Sequence, residues 1–72
     1  GDNVPQNVET AIYWYECAAL QGDADANYNL GIIFFLGDSV RRDIGRALKH
    51  FKAAVSLGNV KAEQYISIIE SS

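Results

Sequence analysis

Apolar and small residues recur at helical spacing in four stretches of this chain, and short turns separate the stretches. Apolar positions that return every three to four residues or so lie on one face of an α-helix. No stretch alternates between apolar and polar residues over a useful length, so the pattern predicts no strands. It predicts four helices, over about residues 8–21, 24–36, 44–57 and 60–70.

Residues that cap or terminate helices lie at the ends of these stretches. A short polar side chain before a helix accepts a hydrogen bond from an unpaired backbone N–H. The predicted N-caps are Asn7, Asp23, Asp43 and Asn59. Gly22 and Gly58 are predicted terminators, and Pro5 is expected before the first helix. The connections at Gly22-Asp23 and Gly58-Asn59 are short, so the helices that they join are expected to form two antiparallel hairpins.

A 36-residue unit occurs twice in the chain, because residues 1–36 and 37–72 align without a gap. Each copy contains two of the four stretches. The two copies share nine identical residues: Gly1/Gly37, Asp2/Asp38, Val4/Val40, Ala11/Ala47, Ala18/Ala54, Gly22/Gly58, Ala26/Ala62, Ile32/Ile68 and Ile33/Ile69. A period of roughly 20 to 50 residues is typical of a solenoid, in which each unit needs a neighbour to bury its apolar face. The chain is therefore predicted to be a single repeat domain.

The small residues of the repeat leave space for neighbouring helices, and larger residues fill the space between them. The filling pairs are Tyr15/Phe51 and Leu30/Ile66. Gly31 lies in the middle of the predicted second helix, where glycine costs about 1 kcal/mol relative to alanine. Close approach of a neighbouring element is the expected reason for it.

The pattern resembles the Sel-one-like repeat family, the longer relatives of tetratricopeptide repeats. One complete repeat is carried by Ala26, Leu30, Gly31, Phe34, Gly37, Val40, Asp43, Arg46, Ala47, Phe51, Ala54 and Gly58. The helix before it matches with Thr10, Ala11, Trp14, Tyr15, Ala18, Ala19 and Gly22. The family's phase implies a whole repeat at about residues 24–58 between two half repeats, in an all-α, right-handed superhelical fragment.

The second unit departs from the family pattern at a few positions. Ser39 replaces the loop glycine of the family pattern, and His50 replaces its tryptophan. Val55 replaces the second alanine, and Ser67 replaces the helix glycine. Since Trp14 and its counterpart are packing positions in the family, His50 is expected to be a packing residue. The departures indicate a degenerate second unit, as is common for terminal repeats.

Charge and length exclude several classes of function. The net charge is −3, and residues 1–36 carry five acidic and no basic side chains, whereas residues 37–72 carry six basic and four acidic ones. This asymmetry argues against nucleic-acid binding along the whole chain and favours head-to-tail association between modules. No run approaches the length of a membrane span, so no membrane insertion is expected, and the N-terminal residues lack signal-peptide features. The sequence does not indicate a cellular compartment.

The sequence gives little support for a catalytic or a metal-binding site. Cys17 and His50 are the residues that suggest a nucleophile and base, but they lie 33 positions apart on helices of different repeats. One cysteine rules out a disulfide framework or a Cys-based zinc site. Asp2, Asp23 and Asp25 lack the spacing of a calcium loop. No catalytic residue, cofactor or metal is predicted.

Two surfaces are candidate contact sites. Tyr28, Ile32 and Phe35 form a second apolar stripe beside the core stripe of the predicted second helix, and Tyr13 adds an aromatic residue on the first helix. The stripe is either exposed, as a peptide site, or buried against a neighbouring repeat or a second copy. The second surface is basic and is a candidate contact for an anion or an acidic peptide, formed by Arg41, Arg42 and Arg46.

The resemblance implies a non-catalytic interaction module, an adaptor or scaffold that binds a protein or peptide partner on a helical surface. The alternative is a structural assembly element whose apolar stripe is buried in a homo-oligomer or against further repeats. Both remain open from the sequence.

Overall fold

A computed structural model describes residues 4–38 and 40–71 of the chain. Within those ranges it contains four α-helices and no strand: α1 (Val4–Leu20), α2 (Ala24–Leu36), α3 (Ile44–Ser56) and α4 (Ala62–Glu70). The predicted all-α fold of two helical hairpins is confirmed. Asp2 and Ser39, which entered the sequence predictions, lie outside the described residues.

The first helix begins earlier than its hydrophobic pattern indicates. It starts at Val4, so Asn7 lies inside the helix and the prediction of Asn7 as N-cap is wrong. Pro5 lies in the first turn rather than before the helix. A proline is tolerated there because the backbone N–H groups of the first turn have no intrahelical acceptor.

The other helix starts are capped largely as predicted. The Asp23 carboxylate accepts hydrogen bonds from the backbone N–H groups of Asp25 and Ala26, at 2.9 and 3.1 Å. The Asp43 carboxylate accepts one from the Arg46 N–H at 3.0 Å. Both aspartates are therefore confirmed as N-caps.

Asn59 caps a turn rather than the first residue of α4. Its side-chain oxygen accepts a hydrogen bond from the Lys61 N–H at 3.0 Å, and α4 begins one residue later. Its side-chain amide donates to an Asp25 carboxylate oxygen at 3.1 Å. Asn59 thus ties the turn between α3 and α4 to the beginning of α2.

The core lies between α2 and α3 and extends to the beginning of α4. Leu30 and Phe51 are its largest fully buried side chains. The remaining buried apolar residues are Ala26, Phe34, Ala47, Ala54 and Ala62. The alanines of the repeat are small where the helices approach one another, as the sequence predicts.

Gly31 makes the close contact between α2 and α3 possible. A Cβ atom at this position would lie 2.5 Å from Cε1 of the Phe51 ring, well inside van der Waals contact. The glycine predicted to permit close approach therefore accommodates an aromatic ring. Phe51 fills the space that the missing side chain leaves.

The helices pack mainly in sequence order, α1 on α2, α2 on α3 and α3 on α4. The two central helices have the most extensive interface. Consequently α1 and α4 each pack mainly on one neighbour, and no other helix of the described residues covers their outer faces.

Candidate functional site

The aromatic stripe of α2 is half-buried against α4. The Tyr28 and Phe35 rings lie 5.9 and 5.5 Å from the Tyr65 ring, both in T-shaped arrangements. Ile32 is also half-buried and packs against the core. The stripe is thus neither fully exposed nor fully buried, since α4 covers part of it and the rest is accessible.

Tyr65 organises this cluster, although sequence reasoning did not select it. Its ring stacks on Phe51 with centroids 4.8 Å apart and an interplanar angle of 9°. A side-chain hydrogen bond with Tyr28 raises the pKa of the Tyr65 hydroxyl above its ordinary value of 10.0. The sequence signal for this role was its spacing from Ala62 and Ile69, which places Tyr65 on the inner face of α4.

Tyr13 and Trp14 form an exposed aromatic pair on α1. Their side chains are 60 % and 63 % exposed, and their rings meet edge to face with centroids 5.6 Å apart. The interpretation of the Trp14 position as a packing position is wrong within this chain. The reason is that α1 packs mainly on α2, so none of the other helices in residues 4–38 and 40–71 covers Trp14.

His50 is held by a buried asparagine. Its Nδ1 lies 3.0 Å from Oδ1 of Asn27, whose side chain is only 4 % exposed. The Asn27 amide nitrogen donates to the backbone oxygen of Asp23 at 3.2 Å, so its oxygen faces the imidazole and Nδ1 carries the proton. The His50 ring also stacks on Phe34, with centroids 6.2 Å apart. His50 is therefore a packing residue with one polar tether.

Burial is the largest influence on His50 and lowers its pKa below the ordinary 6.5. Lys49 and Arg46 lower the pKa further, while Glu16 opposes them. Sequence reasoning missed Asn27. The sequence signal for such a partner was His50 itself, which replaces an aromatic packing residue. A half-buried histidine requires a polar partner.

Cys17 and His50 are not joined as a catalytic pair. Cys17 is a half-buried free thiol, and the imidazole Nδ1 is engaged by Asn27. A Cys–His nucleophile requires a direct hydrogen bond and an orienting third group. Among the residues described, no group of three or more His, Cys, Asp or Glu side chains is arranged to hold a metal ion.

The three arginines line one cleft at the beginning of α3. Arg41, Arg42 and Arg46 are all exposed and surround a cleft of about 340 Å³ together with Phe34, Val40 and Asp43. The Arg46 guanidinium lies 5.1 Å from the centre of the Phe34 ring, and that of Arg42 lies 5.8 Å from the Phe35 ring. Cation–π contacts of this kind hold the two guanidinium groups in place.

A second cleft of about 370 Å³ adjoins the first and shares Arg46 with it. It lies between α1 and α3. Its lining residues are Glu16, Ala19, Leu20, Asn27, Arg46, Lys49, His50 and Ala53. Sequence reasoning did not predict this cleft, because it arises from the packing of helices in adjacent repeats.

Across residues 4–38 and 40–71, no helix has the length and apolarity needed to traverse a bilayer.

Comparison with known proteins places these features in a family. The family model of the Sel1 repeat matches residues 1–23 and 24–59, and the second match agrees with the whole repeat at about 24–58 that the sequence resemblance implied. Sel1 repeats generally mediate protein–protein interaction and are typically non-catalytic. No solved structure matches the chain significantly.

Two curated proteins are similar to the chain over most of its length. The DAP3-binding cell death enhancer 1 of Rattus norvegicus is 30 % identical over 56 residues, which are 78 % of this chain and 11 % of that protein. An uncharacterized protein of Neisseria meningitidis serogroup B is 33 % identical over 58 residues, 81 % of this chain and 12 % of that protein. The chain thus spans about a tenth of the length of these relatives.

Proposed function

Because the chain belongs to the Sel1 repeat family, we propose that it is a non-catalytic interaction module, an adaptor or scaffold segment that binds a protein or peptide on its helical surface. The engagement of His50 by Asn27 supports the absence of catalysis. The rat relative carries DAP3 binding in its name, which supports protein binding as the class of function.

The exposed aromatic pair on α1 is the observation that carries this proposal. Tyrosine and tryptophan are enriched among residues that dominate binding energy, because they bury a large area at a small entropic cost. Tyr13 and Trp14 expose more than half of each side chain on a helix with an uncovered outer face. A protein partner that packs on this face would bury both rings.

The stripe of Tyr28, Ile32 and Phe35 is proposed as a second contact surface through its accessible edges. Its inner edges pack against Phe51 and Tyr65, so mutating Phe35 would disturb the fold as well as a contact. Tyr13 and Trp14 are therefore the better positions for a test.

The test is direct binding of a partner. The immobilised chain captures proteins from a lysate of its source, and each captured protein is then purified and titrated against wild type and variants by calorimetry. We expect Tyr13→Ala/Trp14→Ala to weaken binding about tenfold or more, since hot-spot residues contribute at least about 1–2 kcal/mol each.

The matched control is Glu63→Ala/Gln64→Ala, which changes two exposed residues on α4 and is expected to bind as wild type does. Equal binding by the aromatic double variant and wild type, for every captured protein, would contradict this role of the α1 face. Cys17→Ser is expected to leave binding within about twofold.

The second candidate function is structural assembly, and the one-sided packing of α1 and α4 favours it. In the family's phase α1 is the second helix of one repeat and α4 is the first helix of another, and each packs mainly on one neighbour. A second copy or a further repeat stacked end to end would complete both repeats. Sedimentation over a wide concentration range tests the self-assembly form, for which we expect association that Trp14→Ala weakens, whereas a monomer throughout would exclude it.

A further inference from the structure

We propose that the two adjoining clefts form one groove that binds an acidic, extended peptide segment of a protein partner. This basic groove consists of the arginine cleft at the beginning of α3 and the cleft between α1 and α3, joined at Arg46. The inference rests on the proposed interaction function and names the chemistry of one contact. It concerns a surface distinct from the aromatic pair of α1.

The charge of the groove is unbalanced within the chain. Four exposed cations line it: Arg41, Arg42, Arg46 and Lys49. Among the described residues, the ion pair joins Lys52 to Glu70, both outside the groove, and no carboxylate pairs with any of the four. Carboxylates of a partner would therefore meet cations that no carboxylate of residues 4–38 and 40–71 already pairs with.

The two carboxylates that line the groove do not neutralise it. Asp43 uses its carboxylate to cap α3 through the Arg46 N–H. Glu16 lines only the cleft between α1 and α3, where its charge acts to raise the pKa of His50. The positive charge is thus concentrated at one end, from the loop before α3 to Lys49.

The guanidinium groups are partly ordered before any ligand arrives. Arg46 and Arg42 lie over the rings of Phe34 and Phe35 at 5.1 and 5.8 Å. Phe34 is buried and is stacked by His50, which Asn27 tethers. Ordering these long side chains in advance reduces the entropy lost on binding. A planar guanidinium held in this way is suited to bidentate recognition of carboxylates.

The shape and the far end of the groove define the rest of the ligand. From Arg46 to Ala53 the groove follows α3 for about 10 Å, and the loop cleft extends it, which suits an extended peptide of about five residues. Beside Glu16, the cleft between α1 and α3 also presents apolar side chains, those of Ala19, Ala53 and Leu20, and Leu20 is 89 % exposed. We therefore expect a segment with acidic residues at one end and one large apolar residue at the other.

A peptide fits these observations better than a nucleic acid. The groove contains Glu16, residues 1–36 carry no basic side chain and the net charge is −3. A phosphate backbone requires several cations tracking along its length, whereas a short acidic segment requires them at one end.

The test is fluorescence anisotropy with a labelled octapeptide of four glutamates followed by glycine, leucine and two glycines. A peptide with four glutamines replacing the glutamates is the ligand control. We expect the glutamate peptide to bind at least about tenfold more tightly than the glutamine peptide at low salt, and the difference to decrease as salt is added.

The chain offers a matched pair of lysine variants. Lys49→Gln lies in the groove and is expected to weaken binding about three- to tenfold, whereas Lys61→Gln removes the same charge at the start of α4 and is expected to change it less than twofold. The double variant Arg41→Gln/Arg42→Gln is expected to abolish the preference for glutamate. Circular dichroism confirms that each variant is folded.

Three results would overturn the inference. They are equal affinity for the two peptides, equal weakening by the two lysine variants, and tighter binding of a single-stranded oligonucleotide than of the glutamate peptide. If the peptide fails to bind while a protein partner still binds through Tyr13 and Trp14, this inference falls and the proposed function stands.

Discussion

Gly31 shows at the scale of one residue how the repeat sequence sets helix packing. Glycine in a helix is less stable than alanine, but the Phe51 ring occupies the volume that a Cβ atom would need. Burial of an aromatic side chain contributes more than the helix-propensity loss. The sequence predicted that a neighbouring element approaches Gly31 closely, but it did not predict that the approaching group is the Phe51 ring.

We expect Gly31→Ala to destabilise the chain by about 1–3 kcal/mol, because the methyl group would displace Phe51 from a well-packed position. Gly45→Ala is the matched control. Its Cβ would have Asp43 Oδ1 at 3.6 Å as its nearest contact, so this helix substitution is expected to stabilise by about 0.5–1 kcal/mol. Urea unfolding followed by circular dichroism measures both, and equal effects of the two substitutions would contradict the packing argument.

His50 provides a second residue-scale prediction, on the dependence of stability on pH. Burial lowers its pKa in the folded chain, so the unfolded chain binds more protons below about pH 6.5. The free energy of unfolding is therefore expected to be fully retained above the unfolded pKa and to fall as the pH drops from about 6.5 towards the lower folded pKa.

The comparison variant for this effect is His50→Gln, which keeps an amide donor for Asn27 and does not titrate. Because the two proteins differ only at position 50, the difference between their stability curves reports the effect of the histidine. Parallel stability curves for the two proteins between about pH 7.5 and about pH 5 would contradict the assignment.

At the scale of the helices, the central helices α2 and α3 bury more apolar side chains than the outer helices α1 and α4. The fully buried apolar side chains come from α2 and α3, with Ala62 from α4, and none of the side chains described on α1 is fully buried. Local stability follows buried contacts, since a helix with few of them opens at a lower free energy.

We therefore expect native-state hydrogen exchange to show the strongest protection in α2 and α3, with weaker protection in α4 and the weakest in α1. NMR of amide exchange gives the order residue by residue. Protection of α1 equal to that of α2 would show that the isolated chain holds its first helix by contacts beyond those with α2.

How well the helices were predicted depends on whether a local signal marked each end. The bounds of α2 were predicted correctly because Asp23 caps it and an apolar run fills it. The start of α1 was missed because the chain remains helical before the apolar pattern begins, with Pro5 in the first turn. The start of α4 was placed two residues early because Asn59 caps a turn that resembles a helix start.

At the scale of the whole molecule, the fold was predictable and the surface was less so. Periodicity and the family pattern determine which helix packs on which, since each unit buries its face against the next. Which side chains remain uncovered depends on which helices pack together, and Trp14 is exposed, although its position packs in the family, because α1 packs mainly on α2 among the described helices. The cleft that His50 lines likewise arises from helices distant in sequence, which no local pattern encodes.

Trp14 offers the most direct test of the central claim, that the uncovered face of α1 binds a protein. It is the only tryptophan of the chain, so its fluorescence reports this face alone. Acrylamide quenching of wild type is measured in the isolated chain and then during titration with a purified, tryptophan-free captured partner. We predict a blue-shifted emission and a saturable loss of quenching as the partner covers the ring. A partner that binds tightly in calorimetry yet leaves the emission and quenching of Trp14 unchanged would contradict the account.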